Sequence, residues 1–148
     1  EGIEHAFIPA RTEVLNFSPL VILDGSHNDG STKALAESIG KYLPGKKVLA
    51  VMGMMADKDC EKAVKNLSAS FSHVIAVTPS NLRAMKADEF CSLLSDNGIS
   101  AEYASSPAEG IDRAFKLICD YDALVVCGSL YLAADVRKYL IDKIKDIN

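Results

Sequence analysis

"VILDGSHNDGSTKAL" (residues 21–35) is the stretch whose reading decides the fold. A run of apolar β-formers ends in Asp24, then Gly25, Ser26, His27 and Asn28 follow at once. From Thr32 apolar residues return at helical spacing, as Leu35, Ala36, Ile39 and Leu43, until Pro44-Gly45 stops the pattern. A continuous apolar run fits a strand buried on both faces. A buried strand that turns straight into an amphipathic helix is half of a βαβ unit.

The same alternation continues in both directions. Upstream, "TEVLNF" (12–17) alternates like a strand. Downstream come "KVLAVMG" (47–53), "HVIAVTP" (73–79) and "ALVVCG" (123–128) as strands, with "SAEYA" (100–104) as a short strand for a sheet edge. Helices fill the gaps: 59–70 with Ala63, Val64 and Leu67 inward, 87–97 with Phe90, Leu93 and Leu94 inward and Gly98 at its stop, and 130–144. Ser106 starts another helix running to residue 118, with Pro107 at its first position and Glu109 at capping-box spacing. Strands joined by single helices make right-handed crossovers and a mostly parallel sheet covered on both faces. We therefore expect an α/β fold, a Rossmann-like three-layer α/β/α sandwich. No repeat or low-complexity segment interrupts it. The stretch 79–86 is expected to be the loosest, a mobile loop.

Composition narrows the function classes. Hydrophobic residues make up 49% of 148, enough for one domain with a sizeable core. A net charge of −4 with no Lys/Arg run argues against nucleic acid as a partner. No apolar run nears the roughly 20 residues that cross a bilayer, and no signal peptide opens the chain. Cys60, Cys91, Cys119 and Cys127 form no C-x-x-C pair, so no metal site is expected and buried free thiols in a reducing cytoplasm are. The sequons Asn16-Phe-Ser18 and Asn66-Leu-Ser68 read as chance.

In parallel sheets ligands sit outside the carboxyl ends of the strands. Three strands here end in Gly or polar residues: 24–28, 53–59 and 128–129. Asp24 stands where a carboxylate can accept hydrogen bonds from the vicinal hydroxyls of a ribose. His27 is placed to stack on a flat ring or donate to a phosphate, and Lys58 either to meet a phosphate or to stand with Asp57 and Asp59 in a solvated charged helix start. Ser129 suits either a helix cap or a carboxylate contact. Ordinary turn chemistry also explains Asp24-Gly25, and Asn28 and Asp29 are good helix caps. Met52, Met54 and Met55 read as packing, and His5 and His73 as ordinary. Neither G-x-G-x-x-G nor G-x-x-x-x-G-K-[ST] occurs, so no usual dinucleotide or P-loop site lies in the chain. No Ser/His/Asp triad follows from spacing.

"PARTEVL", "VILDGSHN", "GMMADKD" and "CGSLYLAADVR" occur in that order. Together they resemble the C-terminal domain of the folylpolyglutamate synthase and dihydrofolate synthase family, in the Mur ligase superfamily. The resemblance runs over nearly all of residues 9–140, and Ser26 stands where Ala is common in the family. It implies an ATP-dependent ligase that adds L-glutamate to folate or dihydropteroate. ATP and Mg²⁺ are the cofactors, and the P-loop, most Mg²⁺ ligands and the folate pocket lie on an N-terminal ATPase domain. It also implies that residues 1–10 are the tail of a linker from that domain and 11–148 the Mur ligase C-terminal domain. No catalytic residue is then expected in this chain. Carried over, Arg11 and Lys58 would meet the ATP phosphates, Asp24 the ribose, His27 the nucleotide and its phosphates, and Ser129 the incoming glutamate. The rival readings are a Mur-type peptidoglycan ligase domain and a free-standing nucleotide-binding or interaction module.

Overall fold

The computed structural model describes residues 12–57 and 59–148. Strands β1 (Thr12–Phe17), β2 (Leu20–Asp24), β3 (Val48–Met52), β4 (His73–Ala76), β5 (Ala101–Tyr103) and β6 (Ala123–Cys127) form one six-stranded sheet in the order β1-β2-β6-β3-β4-β5. Only β1 runs antiparallel to its neighbour, and it carries a bulge between Val14 and Asn16. The short strand β5 lies at the edge, as its length suggests. The described helices are α1 (Asp29–Tyr42), α2 (Cys60–Leu67), α3 (Ala87–Asp96), α4 (Pro107–Leu117) and α5 (Leu130–Ile147).

Side-chain alternation along the strands builds two cores. Leu20, Ile22, Val48, Ala50, Met52, Val125 and Cys127 face one side, where α1, α2 and α3 bring Leu35, Ile39, Val64, Leu67, Phe90 and Leu94. Val21, Leu23, Leu49, Val51, Leu124 and Val126 face the other, against Ile111 and Ala114 of α4 and Leu132, Val136 and Leu140 of α5. All five residues of β2, β3 and β6 are buried, which is why these strands read as unbroken apolar runs. The expected three-layer sandwich is the observed one.

The two glycines that end β3 and β6 let the strand ends approach. Gly128 has φ +109°, and a Cβ there would run into the Gly53 carbonyl oxygen. A Cβ on Gly53 would sit 2.7 Å from the Val77 carbonyl oxygen.

Two expectations need correction. The stretch 79–86 is tied rather than loose. Ala84 bridges to Met55, the Ala56 N–H donates to the Arg83 carbonyl at 2.7 Å, and the Met85 N–H donates to the Met54 carbonyl at 2.9 Å. Asp135 of α5 also accepts from the Ser80 N–H at 2.9 Å. Among the cysteines, Cys60 and Cys127 are buried, but Cys119 is exposed in the 3₁₀ turn that follows α4. That turn tips its second residue outward while Ile118 fills the core. Burial raises the Cys60 thiol to about 11, so it stays protonated and inert.

At the amino ends of β4 and β5 a serine, a histidine and a glutamate fall in line, which spacing did not reveal. His73 Nε2–H donates to Glu102 at 2.8 Å, and its Nδ1 accepts from the Ser100 hydroxyl at 2.8 Å. Arg113 of α4 holds the other Glu102 oxygen at 3.0 Å. These bonds tie the edge strand to the sheet and to α4.

Two predictions follow from these contacts. Gly128→Ala should destabilise the chain by about 2–4 kcal/mol, combining backbone strain with a clash, as read by urea denaturation. Glu102 is held below the usual carboxylate range, first by the His73 hydrogen bond and then by Arg113. A depressed carboxyl contributes stability above its unfolded pKa and loses it as pH falls through the folded one. The advantage of the native chain over Glu102→Gln, under about 1 kcal/mol because the site is half-exposed, should hold above about pH 5 and fade toward pH 3. A pH-independent difference would contradict this.

Candidate functional site

Strands β2 and β6 are parallel neighbours, yet α1 leaves to one face of the sheet and α5 to the other. The backbone diverges between them, and a crevice opens at the N-termini of the two helices. This is the topological switch point where open α/β sheets take ligands.

The turn after β2 forms one wall. Asp24 is 3% exposed, and its carboxylate is already engaged. The Thr12 hydroxyl of β1 donates to Oδ2, while the Ser26 hydroxyl and the Ser26 N–H, the latter at 2.7 Å, donate to Oδ1. A buried carboxylate needs such donors. Asn28 caps α1, its side chain accepting the Ser31 N–H at 2.8 Å in a capping box. The cap reading of Asn28 therefore holds. His27 is half-buried and fixed at two points: its N–H donates to Ser31 Oγ at 3.1 Å, and its Nδ1 meets the Gly25 carbonyl at 3.0 Å. A carbonyl only accepts, so Nδ1 carries the proton. Nε2 is then left as the ring's free nitrogen, an acceptor when neutral and a donor when protonated.

His27 lines a hollow of about 210 Å³ together with Asp57, Arg83, Ser129 and Tyr131. Ser129 is 1% exposed and caps α5, accepting the N–H groups of Tyr131 at 3.0 Å and Leu132 at 3.3 Å. Its own O–H proton is still available to donate. Met52 and Met54 pack in the core as expected, whereas Met55 lines the hollow.

The structure thus brings His27 and Ser129 to one hollow and sets Asp24 behind the turn. Arg11 and Lys58 lie outside the described residues. Sequence reasoning missed Arg83 and Tyr131 as wall residues and flagged Asp57 only as part of the 53–59 stretch. Arg83 follows the carboxyl end of a parallel strand, a signal that could have flagged it. Among the described residues no group of three or more His, Cys, Asp or Glu could hold a metal ion. No described helix is long and apolar enough to cross a membrane.

Residues 10–130 match the family described as Mur ligase, glutamate ligase domain. The chain is 33% identical over 138 residues to a probable bifunctional folylpolyglutamate synthase/dihydropteroate synthase of Halobacterium salinarum, covering 92% of this chain and 17% of that protein. It is 30% identical over 142 residues to a folylpolyglutamate synthase of Lacticaseibacillus casei, covering 95% and 32%. Among solved structures it is similar to a bifunctional folylpolyglutamate synthase/dihydrofolate synthase of Yersinia pestis complexed with AMPPNP and Mn ion. There the TM-score is 0.74 at 29% identity, over 90% of this chain and 31% of that one. The chain therefore spans about a third or less of the length of these relatives.

The Asp24 geometry separates two substitutions by stability alone. Asp24→Ala strands the Thr12 and Ser26 donors and should destabilise the chain by about 2–3 kcal/mol, whereas Ser26→Ala should cost about 1 kcal/mol. Equal losses in urea denaturation would show that the carboxylate does not organise this turn.

Proposed function

The chain belongs to the Mur ligase family through its glutamate ligase domain, and from that premise we propose that it is the C-terminal domain of an ATP-dependent amide ligase that adds L-glutamate to folate. The full protein is then of the folylpolyglutamate synthase type, acting also as a dihydrofolate synthase. Residues 1–10 are the tail of a linker and 11–148 the domain that closes over an N-terminal ATPase domain. That partner supplies the P-loop, most Mg²⁺ ligands and the folate or dihydropteroate site. Mg²⁺ neutralises phosphate charge there. The carboxylate of the folate takes the γ-phosphate of ATP, the glutamate amine attacks the acyl phosphate, and ADP and phosphate leave. The four free thiols fit a cytoplasmic setting.

One observation carries this proposal. His27 and Ser129, both inside the matched region and from the two strand ends flanking the switch point, line a single hollow. The hollow is smaller than the roughly 300–1,000 Å³ of drug-sized ligand sites, so a nucleotide lies across its mouth, between domains. This chain's groups bind and orient there. His27 Nε2 serves the phosphates, with Arg11 and Lys58 beside them, and the Ser129 hydroxyl donates to the glutamate. Asp24 takes the ribose by exchanging hydroxyl for hydroxyl, since the Thr12 and Ser26 groups occupy the lone pairs that a vicinal diol would use.

In the full-length protein, labelled glutamate should enter folate with ATP and Mg²⁺, and the present chain alone should incorporate none. His27→Ala should lower kcat about tenfold or more while changing initial ATP capture less, because a contact made only on closure acts on the transition state. Ser26→Ala, which frees one lone pair of Asp24 Oδ1 while the residue 26 N–H still donates to that oxygen, should tighten ATP binding. Wild-type kcat with weakened ATP binding in His27→Ala would show a preformed nucleotide site and no lid.

A further inference from the structure

Strand β5 ends the sheet with an open outer edge. The Val74 N–H donates to the Ser100 carbonyl at 2.9 Å and the Ala104 N–H to the Ala76 carbonyl at 3.0 Å, so residues 100, 102 and 104 turn their backbone groups toward β4. By alternation the N–H and carbonyl groups of Ala101 and Tyr103 turn outward. Arg113 donates to the Tyr103 carbonyl at 2.9 Å, and no described residue bonds the other three groups. The strand is short, but it carries neither the Pro nor the Lys that commonly guards an edge. Two hollows of about 390 and 360 Å³ flank it, and Asp88 and Tyr103 line both. Together they make a groove along β5 beneath the flank of α3, from Asp96 at one end to Ser105 at the other. Tyr103, 54% exposed, stands between the two hollows. Asp88, Glu89 and Asp96 line the groove, exposed and in no ion pair with a described residue. Among the described residues Lys86, near Ser105, is the one cation along it.

We propose that this groove receives an extended, basic segment of a partner protein, which joins the sheet as a further strand beside β5. The backbone sets the shape of the occupant. Outward groups recur at every second residue of β5, and only an extended chain presents its own groups at that repeat. The carboxylates set its charge. Side chains of an added strand alternate between the two faces of the sheet. Those on the α3 side meet the Tyr103 ring and then Asp88, Glu89 and Asp96. A lysine or arginine there lays its apolar stem along the ring and brings its charge to the carboxylates. Those on the other side meet Glu102, which His73 and Arg113 already hold, so the selection for charge comes from the α3 side. A second copy of the chain is a poor occupant. Pairing two such edges would set three carboxylates against three, in a chain of net charge −4. Five residues suffice for the added strand, spanning the three of β5 with one beyond each end.

The test titrates the full-length protein into a fluorescein-labelled peptide, Lys-Val-Lys-Val-Lys, and reads anisotropy, with Glu-Val-Glu-Val-Glu as the control. The lysine peptide should bind and the glutamate peptide should not. Asp88→Asn combined with Asp96→Asn, and separately Tyr103→Ala, should each weaken binding about tenfold or more. All three side chains are exposed, so these variants should keep the fold. Methylating one alternate set of the peptide's amides should abolish binding and methylating the other set should not, because only one set faces β5. Cys91 lines the groove and Cys119 lies exposed in the turn after α4, so bound peptide should slow alkylation of Cys91 and leave that of Cys119 unchanged. Equal binding of the two methylated peptides would mean a charged surface with no added strand, and would overturn the proposal. Failure of the lysine peptide to bind, affinity that ignores the substitutions, or an unchanged rate at Cys91 would overturn it as well. Self-association of the full-length protein that Tyr103→Ala abolishes would make the edge a contact between copies and would also overturn it.

Discussion

Strand β6 has to pass between β2 and β3 with its carboxyl end pressed against theirs, and the rest of the molecule depends on that insertion. Three fully buried strands meet there, and glycine at 128 lets the end of β6 lie against the Gly53 carbonyl at the end of β3 without collision. Once β6 is in place, its following helix leaves on the face opposite to α1. The divergence of the two helices makes the crevice, so the site is a consequence of strand order before it is a matter of particular side chains. Every wall residue of the hollow sits on a segment that leaves a strand end or is hydrogen-bonded to one.

Asp24 organises the turn at the head of the proposed site. Its carboxylate ties β1 to the turn after β2 through Thr12, and it shapes that turn through Ser26. The turn then presents His27 with one nitrogen fixed and one free. Ser26 lends this chain a hydroxyl on Asp24 that an alanine at the same place could not provide. Turn chemistry and ligand chemistry compete as explanations when the sequence is read alone; under the proposed function a ribose would exchange for the Thr12 and Ser26 hydroxyls on the same carboxylate.

Much of this was legible beforehand, for a physical reason. Strands buried on both faces leave unbroken apolar runs, helices between them leave the 3.6-residue period, and caps such as Ser106 and Asn28 announce themselves by type. His27 and Ser129 were legible as strand-end polar residues. What stayed hidden depends on distant pairing. Nothing local tells β6 to enter between β2 and β3, or sets Thr12 opposite Asp24. The polar stretch 79–86 reads as loose because its bonds to Met54 and Ala56 are backbone bonds, which leave no mark on composition. Arg83 was overlooked for the same reason: its loop is held at the hollow by main-chain contacts that no side chain advertises.

The central claim is that the carboxyl ends of β2, β3 and β6 form one half of a site that a second domain completes. Hydrogen exchange on the full-length protein tests it most directly, comparing the free protein with the protein holding a non-hydrolysable ATP analogue and glutamate. The account predicts new protection in residues 26–31, 53–57, 81–84 and 129–132, with little change at the amino ends of β4 and β5. Protection centred instead on the groove between Ile39 of α1 and Asn66 of α2, with the strand ends unchanged, would contradict it.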